Sequence, residues 1–182
     1  MGILRADRIT GLGGANAIKG SVEFTGDGSS STSRGVSLNI HSGDTDKTDL
    51  DFGTGNFTFE AWIYPFNGLS FNCIYSQAWG LQIYADTVNN RLQLYVNDSD
   101  NSSSYIVNQA QSANGTILPD RWNHIAVVRN GTSFTMYTNG TGASPSTGVS
   151  AAIASSNADY TVGIFNSLGA TEDLGSYFGF AG

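Results

Sequence analysis

Apolar side chains in this sequence recur at every second position in short runs separated by glycine. Of all its features this spacing most narrows the possible folds, because successive side chains of an extended strand point to opposite faces. Val22 and Phe24 share one face, as do Val36, Leu38 and Ile40. The longest row is Phe57, Phe59, Ala61 and Ile63, with Thr58, Glu60, Trp62 and Tyr64 opposite it. Further strand candidates are residues 81–85, 91–97, 122–129, 133–139 and 160–165. Runs spaced by roughly ten residues are the pattern of an antiparallel sandwich or barrel. No stretch sustains a 3.6-residue period between caps, so the expected class is all-β with almost no helix.

Turn chemistry agrees. Asn130-Gly131 separates two alternating runs and suits the positive φ of a type I′ hairpin turn, and Asn139-Gly140 is expected to turn the chain again. Residues 1–20, rich in glycine and weakly periodic, read as an N-terminal arm, and residues 97–104, rich in Asp, Ser and Asn, as a solvated loop.

At 182 residues the chain suits one domain, and 40% hydrophobic residues supply a core. Only 13% are charged, and 8 Lys+Arg against 15 Asp+Glu give a net charge of -7. Nucleic acid is therefore an unsuitable partner, since phosphate binding needs clustered cations. Anionic membrane surfaces are disfavoured too, and no apolar run is long enough for insertion. Met1 to Thr10 carries Arg5, Asp7 and Arg8 where a signal peptide needs an apolar centre, so the six Asn-x-Ser/Thr triplets are expected to stay unglycosylated. With Cys73 alone, neither an intrachain disulfide nor a Cys-rich zinc site can form.

Catalytic equipment is sparse. Glycoside hydrolysis needs two carboxylates at a fixed separation, and Glu60 is the lone acid on the best strand, read as structural. Asp44, Asp46, Asp49 and Asp51 lack the glycine and distal glutamate of a calcium loop, and Asp27 reads as a turn former, so no metal or cofactor is expected. His41 and His124 stand outside any zinc or nucleophile motif, and His124 is read as a hydrogen-bonded structural residue. What remains is surface recognition. Gln82 and Tyr84, Gln93 and Tyr95, and Thr135 and Tyr137 lie opposite their strands' aliphatic rows. If these strands share a sheet, Gln82, Tyr84, Gln93, Tyr95 and Tyr137 form one polar-aromatic face able to stack on sugars or anchor protein contacts. Any half-solvated antiparallel sheet would alternate in the same way.

The series Gly20-Ser-Val-Glu-Phe-Thr-Gly-Asp-Gly28 and Leu50-Asp-Phe-Gly-Thr-Gly-Asn-Phe-Thr-Phe-Glu-Ala-Trp-Ile-Tyr-Pro65 resembles the concanavalin A-like lectin/glucanase superfamily in its laminin-G-like, pentraxin-like branch. Trp122-Asn-His-Ile-Ala-Val-Val-Arg-Asn-Gly131, Phe134-Thr-Met-Tyr-Thr-Asn-Gly140 and Tyr160-Thr-Val-Gly-Ile164 extend the likeness in the family's order. The resemblance implies a jelly roll of two antiparallel sheets over residues 21–182. It also implies a closing strand after Phe178-Gly-Phe-Ala-Gly182, which this sequence does not contain; a neighbouring chain or the arm is expected to fill that edge.

The opening, Ile3 to Val22, is similar to the leader of laminin-G-like proteins of marine bacteriophages that infect cyanobacteria. That likeness implies a non-enzymatic virion surface protein, made in the host cytoplasm, present in multiple copies and touching other capsid or tail proteins. The alternative expectation is a lectin-like module for host-surface glycans, and a glucanase ranks last for want of its carboxylates.

Overall fold

The computed structural model describes residues 38–40, 52–77, 80–98, 105–154 and 160–163. The expected arm, the pair Val22 and Phe24, the residues Asp27, His41 and Asp44 to Asp51, the greater part of the 97–104 loop and the C-terminal segment lie outside these residues. The described part is all-β. Its strands are β1 (Leu38–Ile40), β2 (Phe57–Ile63), β3 (Asn72–Gln77), β4 (Leu81–Asp86), β5 (Arg91–Asn97), β6 (Tyr105–Gln111), β7 (Asn123–Asn130), β8 (Ser133–Thr138), β9 (Thr141–Ser146) and β10 (Tyr160–Val162).

Every described pairing is antiparallel. One sheet runs β1-β10-β3-β4-β5-β6 and the other β2-β7-β8-β9. Leu81, Ile83, Leu92, Leu94 and Val96 of the first meet Ile63, Ile125, Val127, Phe134 and Met136 of the second in one buried cluster. Phe59 of β2 and Tyr75 of β3 bridge the gap, their ring centroids 5.2 Å apart. This is the expected sandwich, and the alternation that predicts it is visible in β8, where inward Phe134, Met136 and Thr138 are buried and the residues between them are half-buried.

Three strands escape the two-residue rhythm. β3 is buried along its whole length and its register shifts between Cys73 and Tyr75, so the alternation breaks inside it. β6 has two register shifts against β5, and Gln109 within it has φ of 53°. β9 reads Thr-Gly-Ala-Ser-Pro-Ser, a turn-like composition tolerated at the end of the sheet, where β9 pairs only β8 among the described residues. Cys73 is fully buried in β3.

The hairpin at Asn130-Gly131 forms one residue later than expected. Asn130 pairs with Ser133, so Gly131 and Thr132 are the two central residues, and Gly131 alone of them has positive φ, at 57°. Type I′ needs positive φ at both, so that turn is excluded here. It occurs instead at Asn139-Gly140, with φ of 51° and 82°, between paired Thr138 and Thr141. Buried Arg129 closes one end of the second sheet by donating to the carbonyls of Gly53, Gly131, Val149 and Ala151, with its guanidinium carbon 5.1 Å from the Phe134 ring centre. Burial pushes its pKa down from the usual arginine value.

Candidate functional site

The five residues expected to form one face are divided between the sheets. β4 and β5 are neighbours, so Gln82 pairs with Tyr95 and Tyr84 with Gln93 on the side of the six-stranded sheet away from the core. Tyr137 lies on β8 in the other sheet, and the assumption that all these strands share a sheet is corrected. The first four residues do form a connected group. The Tyr84 hydroxyl donates to Gln82 Oε1 at 3.0 Å, and the Tyr84 and Tyr95 rings meet edge to face at 5.7 Å. Gln93 Nε2 donates to Asp86 Oδ2, which also accepts from Arg91 Nε at 2.9 Å.

That face is not half-solvated, however. Gln82, Tyr84 and Gln93 are at most 3% exposed, and only Tyr95 is half-buried. Burial pushes the Tyr84 hydroxyl well above its ordinary pKa, and the same cause raises Tyr95. A side chain so enclosed has no surface left to offer a ligand. The alternation placed these residues correctly opposite the core, but period alone does not say whether the outward face meets water.

The open surface lies on the second sheet. Outward-pointing Thr58, Glu60 and Trp62 of β2 pair with Val128, Ala126 and His124 of β7. Trp62 is 66% exposed, a large apolar ring left in water by the alternation that turns half-buried Ala61 and buried Ile63 inward. His124 Nε2 donates to Glu60 Oε1 at 2.7 Å, since an ionised carboxylate can only accept. The imidazole also lies against the indole, with centroids 5.1 Å apart. The row continues beyond the strand ends, where the Tyr64 ring meets those of Trp122 at 5.7 Å and Phe66 at 6.4 Å, and Trp122 is itself 52% exposed.

Tyr137 belongs to this surface. Ala126 pairs with both Glu60 and Tyr137, and Tyr137 in turn with Gly142. The Tyr137 ring lies along Gly142, where a Cβ would come within 2.8 Å of Cε1, so glycine is what lets the ring lie there. The result is an open outer face that carries exposed and half-buried aromatic rings, with one carboxylate and one imidazole among them.

Two asparagines hold its end in place. Buried Asn123 accepts from Leu118 N and donates to the carbonyls of Leu118 and Arg121, fixing the turn that presents Trp122. Asn139 accepts from His124 N through Oδ1 and donates its own N–H to His124 O, extending the β7–β8 pairing past the type I′ turn. Sequence analysis singled out neither Trp62 nor Trp122 and took Glu60 and His124 for structural groups. The missed signal was a tryptophan on the polar side of the strongest alternating strand.

A family model of the laminin G type, described as the concanavalin A-like lectin/glucanases superfamily, matches residues 31–180. Among solved structures, domains LG4-5 of the mouse laminin alpha1 chain align with TM-score 0.51 and 12% identity over 87% of this chain and 38% of that one. A protein of Bacteroides ovatus ATCC 8483, described as a candidate carbohydrate binding protein, aligns with TM-score 0.50 and 15% identity, covering 87% of this chain and 40% of its own. At such identities the likeness is one of fold, and the chain spans about two-fifths of the length of either. No curated protein matches the sequence.

Proposed function

We propose that this chain, which belongs to the concanavalin A-like lectin/glucanases superfamily, is a non-enzymatic carbohydrate-binding domain that holds a glycan on the outer face of its four-stranded sheet. The observation that carries this reading is Trp62, 66% exposed beside the hydrogen-bonded pair of Glu60 and His124. A sugar ring has an apolar C–H face and a rim of hydroxyls, and a flat indole flanked by an acceptor and an imidazole complements both. The succession of Trp62, then Tyr64 with Trp122, extends along the strands, which suits the interior of a glycan chain better than one terminal residue. Family relationship alone would not decide this, since one fold serves many functions.

A glucanase is the weaker reading. Glycosidic cleavage needs two facing carboxylates, and among the described residues the acids besides Glu60 are Asp86, buried in the other sheet, and Asp98 and Asp120 in exposed turns. Binding to a panel of neutral polysaccharides, measured by affinity electrophoresis and calorimetry, tests the proposal. Retardation by at least one, abolished in Trp62→Ala, is the expected result; no retardation across the panel overturns it.

For the setting in which the domain works, our proposal is a multi-copy virion surface protein of a bacteriophage, supported by the likeness of the opening residues to phage leaders. Deleting residues 1–20 should then abolish incorporation into particles while leaving the domain folded.

A further inference from the structure

We infer that Glu60 makes the Trp62 face selective for neutral glycans and turns acidic ones away, an inference that rests on the carbohydrate-binding reading above. Glu60 and Trp62 are two residues apart on one side of β2, so any sugar stacked on the indole lies within a few ångströms of the carboxylate. The Glu60 side chain is 62% exposed, and His124 holds one of its oxygens at 2.7 Å, leaving the other turned to whatever occupies the face. The described arginines do little to offset that charge. Arg91 is paired with Asp86 on the other sheet, buried Arg129 is spent on backbone carbonyls, and Arg121 lies in the turn before Trp122, at the far end of the row. A net charge of -7 over the whole chain acts in the same direction.

A hydroxyl can donate to the free carboxylate oxygen, whereas a sulfate or uronate in the same position meets a like charge. At about 6 Å, between the screening of water and that of a protein surface, this repulsion amounts to roughly threefold to a hundredfold in affinity. It fades as added salt shortens the Debye length below about 10 Å. Glu60 is thus a specificity-determining residue and His124 the residue that positions it.

Calorimetry with dextran, a β-1,3-glucan and a galactan, each beside its carboxymethylated derivative, tests the inference. Where the neutral polymer binds, its carboxymethylated form should bind at least threefold more weakly at low salt, with the gap closing at high salt. Glu60→Gln, nearly isosteric, should shrink the ratio of neutral to carboxymethylated affinity toward one at low salt, whatever it does to neutral binding itself, and Glu60→Lys should reverse the preference. Equal binding of both forms by the wild type, still abolished by Trp62→Ala, overturns this inference and leaves the carbohydrate-binding reading standing. An unchanged ratio in Glu60→Gln, with folding verified by circular dichroism, overturns it too. Failure of every neutral polymer to bind overturns both.

Discussion

The Arg129 guanidinium donates through Nη1 to the carbonyl oxygen of Gly53, 2.7 Å away and 76 positions earlier in the chain. Three more carbonyls, of Gly131, Val149 and Ala151, accept from the same side chain. With Arg129 only 1% exposed, these acceptors would be left without their donor if the guanidinium were removed. Each such part-buried bond to a charged donor contributes about 1 kcal/mol. Arg129→Met, which keeps the bulk, should therefore destabilise the domain by about 3 kcal/mol or more in urea unfolding, and Arg129→Lys by nearly as much, because one ammonium cannot span four carbonyls.

Trp62→Ala separates binding from folding. Because the ring is 66% exposed, its loss should change stability by less than about 1 kcal/mol. Tryptophan anchors at binding surfaces commonly contribute about 2 kcal/mol, so glycan affinity should fall roughly thirtyfold. Calorimetry and a thermal melt of the same sample check both halves.

Asn123→Ala should damage the same surface from beneath. It removes three bonds that fix the turn before β7, so Trp122 loses its fixed position without losing any atom of its own. A stability loss of about 2 kcal/mol is expected. Glycan binding should weaken by more than the unfolded fraction explains, as titration at a temperature well below the melt would reveal.

Acid sensitivity should centre on Asp86. Burial pushes its carboxyl up, but donors from the Asn89 side chain and backbone and from the neighbouring Arg91 outweigh that and hold it below the ordinary carboxylate value. A folded-state pKa below the unfolded one means the stabilisation is complete above about pH 4 and disappears as the pH falls through the folded value. Asp86→Asn turns an amide toward Arg91 Nε and Gln93 Nε2 in place of an acceptor. It should cost about 2 kcal/mol at neutral pH and progressively less as the pH falls below about 4, as urea midpoints across that range would show.

Much of the sandwich was legible because β2, β5, β7 and β8 each carry an unbroken alternating row that turns to the core, although in β5 residues of the opposite face are buried as well. β3, β6 and β9 were not, since a register shift, a positive φ at Gln109 and the pair Gly142 and Pro145 each erase the local pattern while tertiary pairing maintains the strand. For the candidate site the difficulty was of another kind. Sheet membership separates Tyr137 from Tyr84 and joins it to Glu60 through Ala126, a relation between residues 77 positions apart that no local window contains.

The sealed position of Cys73 gives the chain a built-in reporter. Alkylation requires the thiolate, and burial both hides that sulfur and pushes its pKa well above the ordinary thiol value. A single label can then attach only when β3 leaves its neighbours. The rate of iodoacetamide incorporation, one event per molecule, therefore measures how often the six-stranded sheet opens.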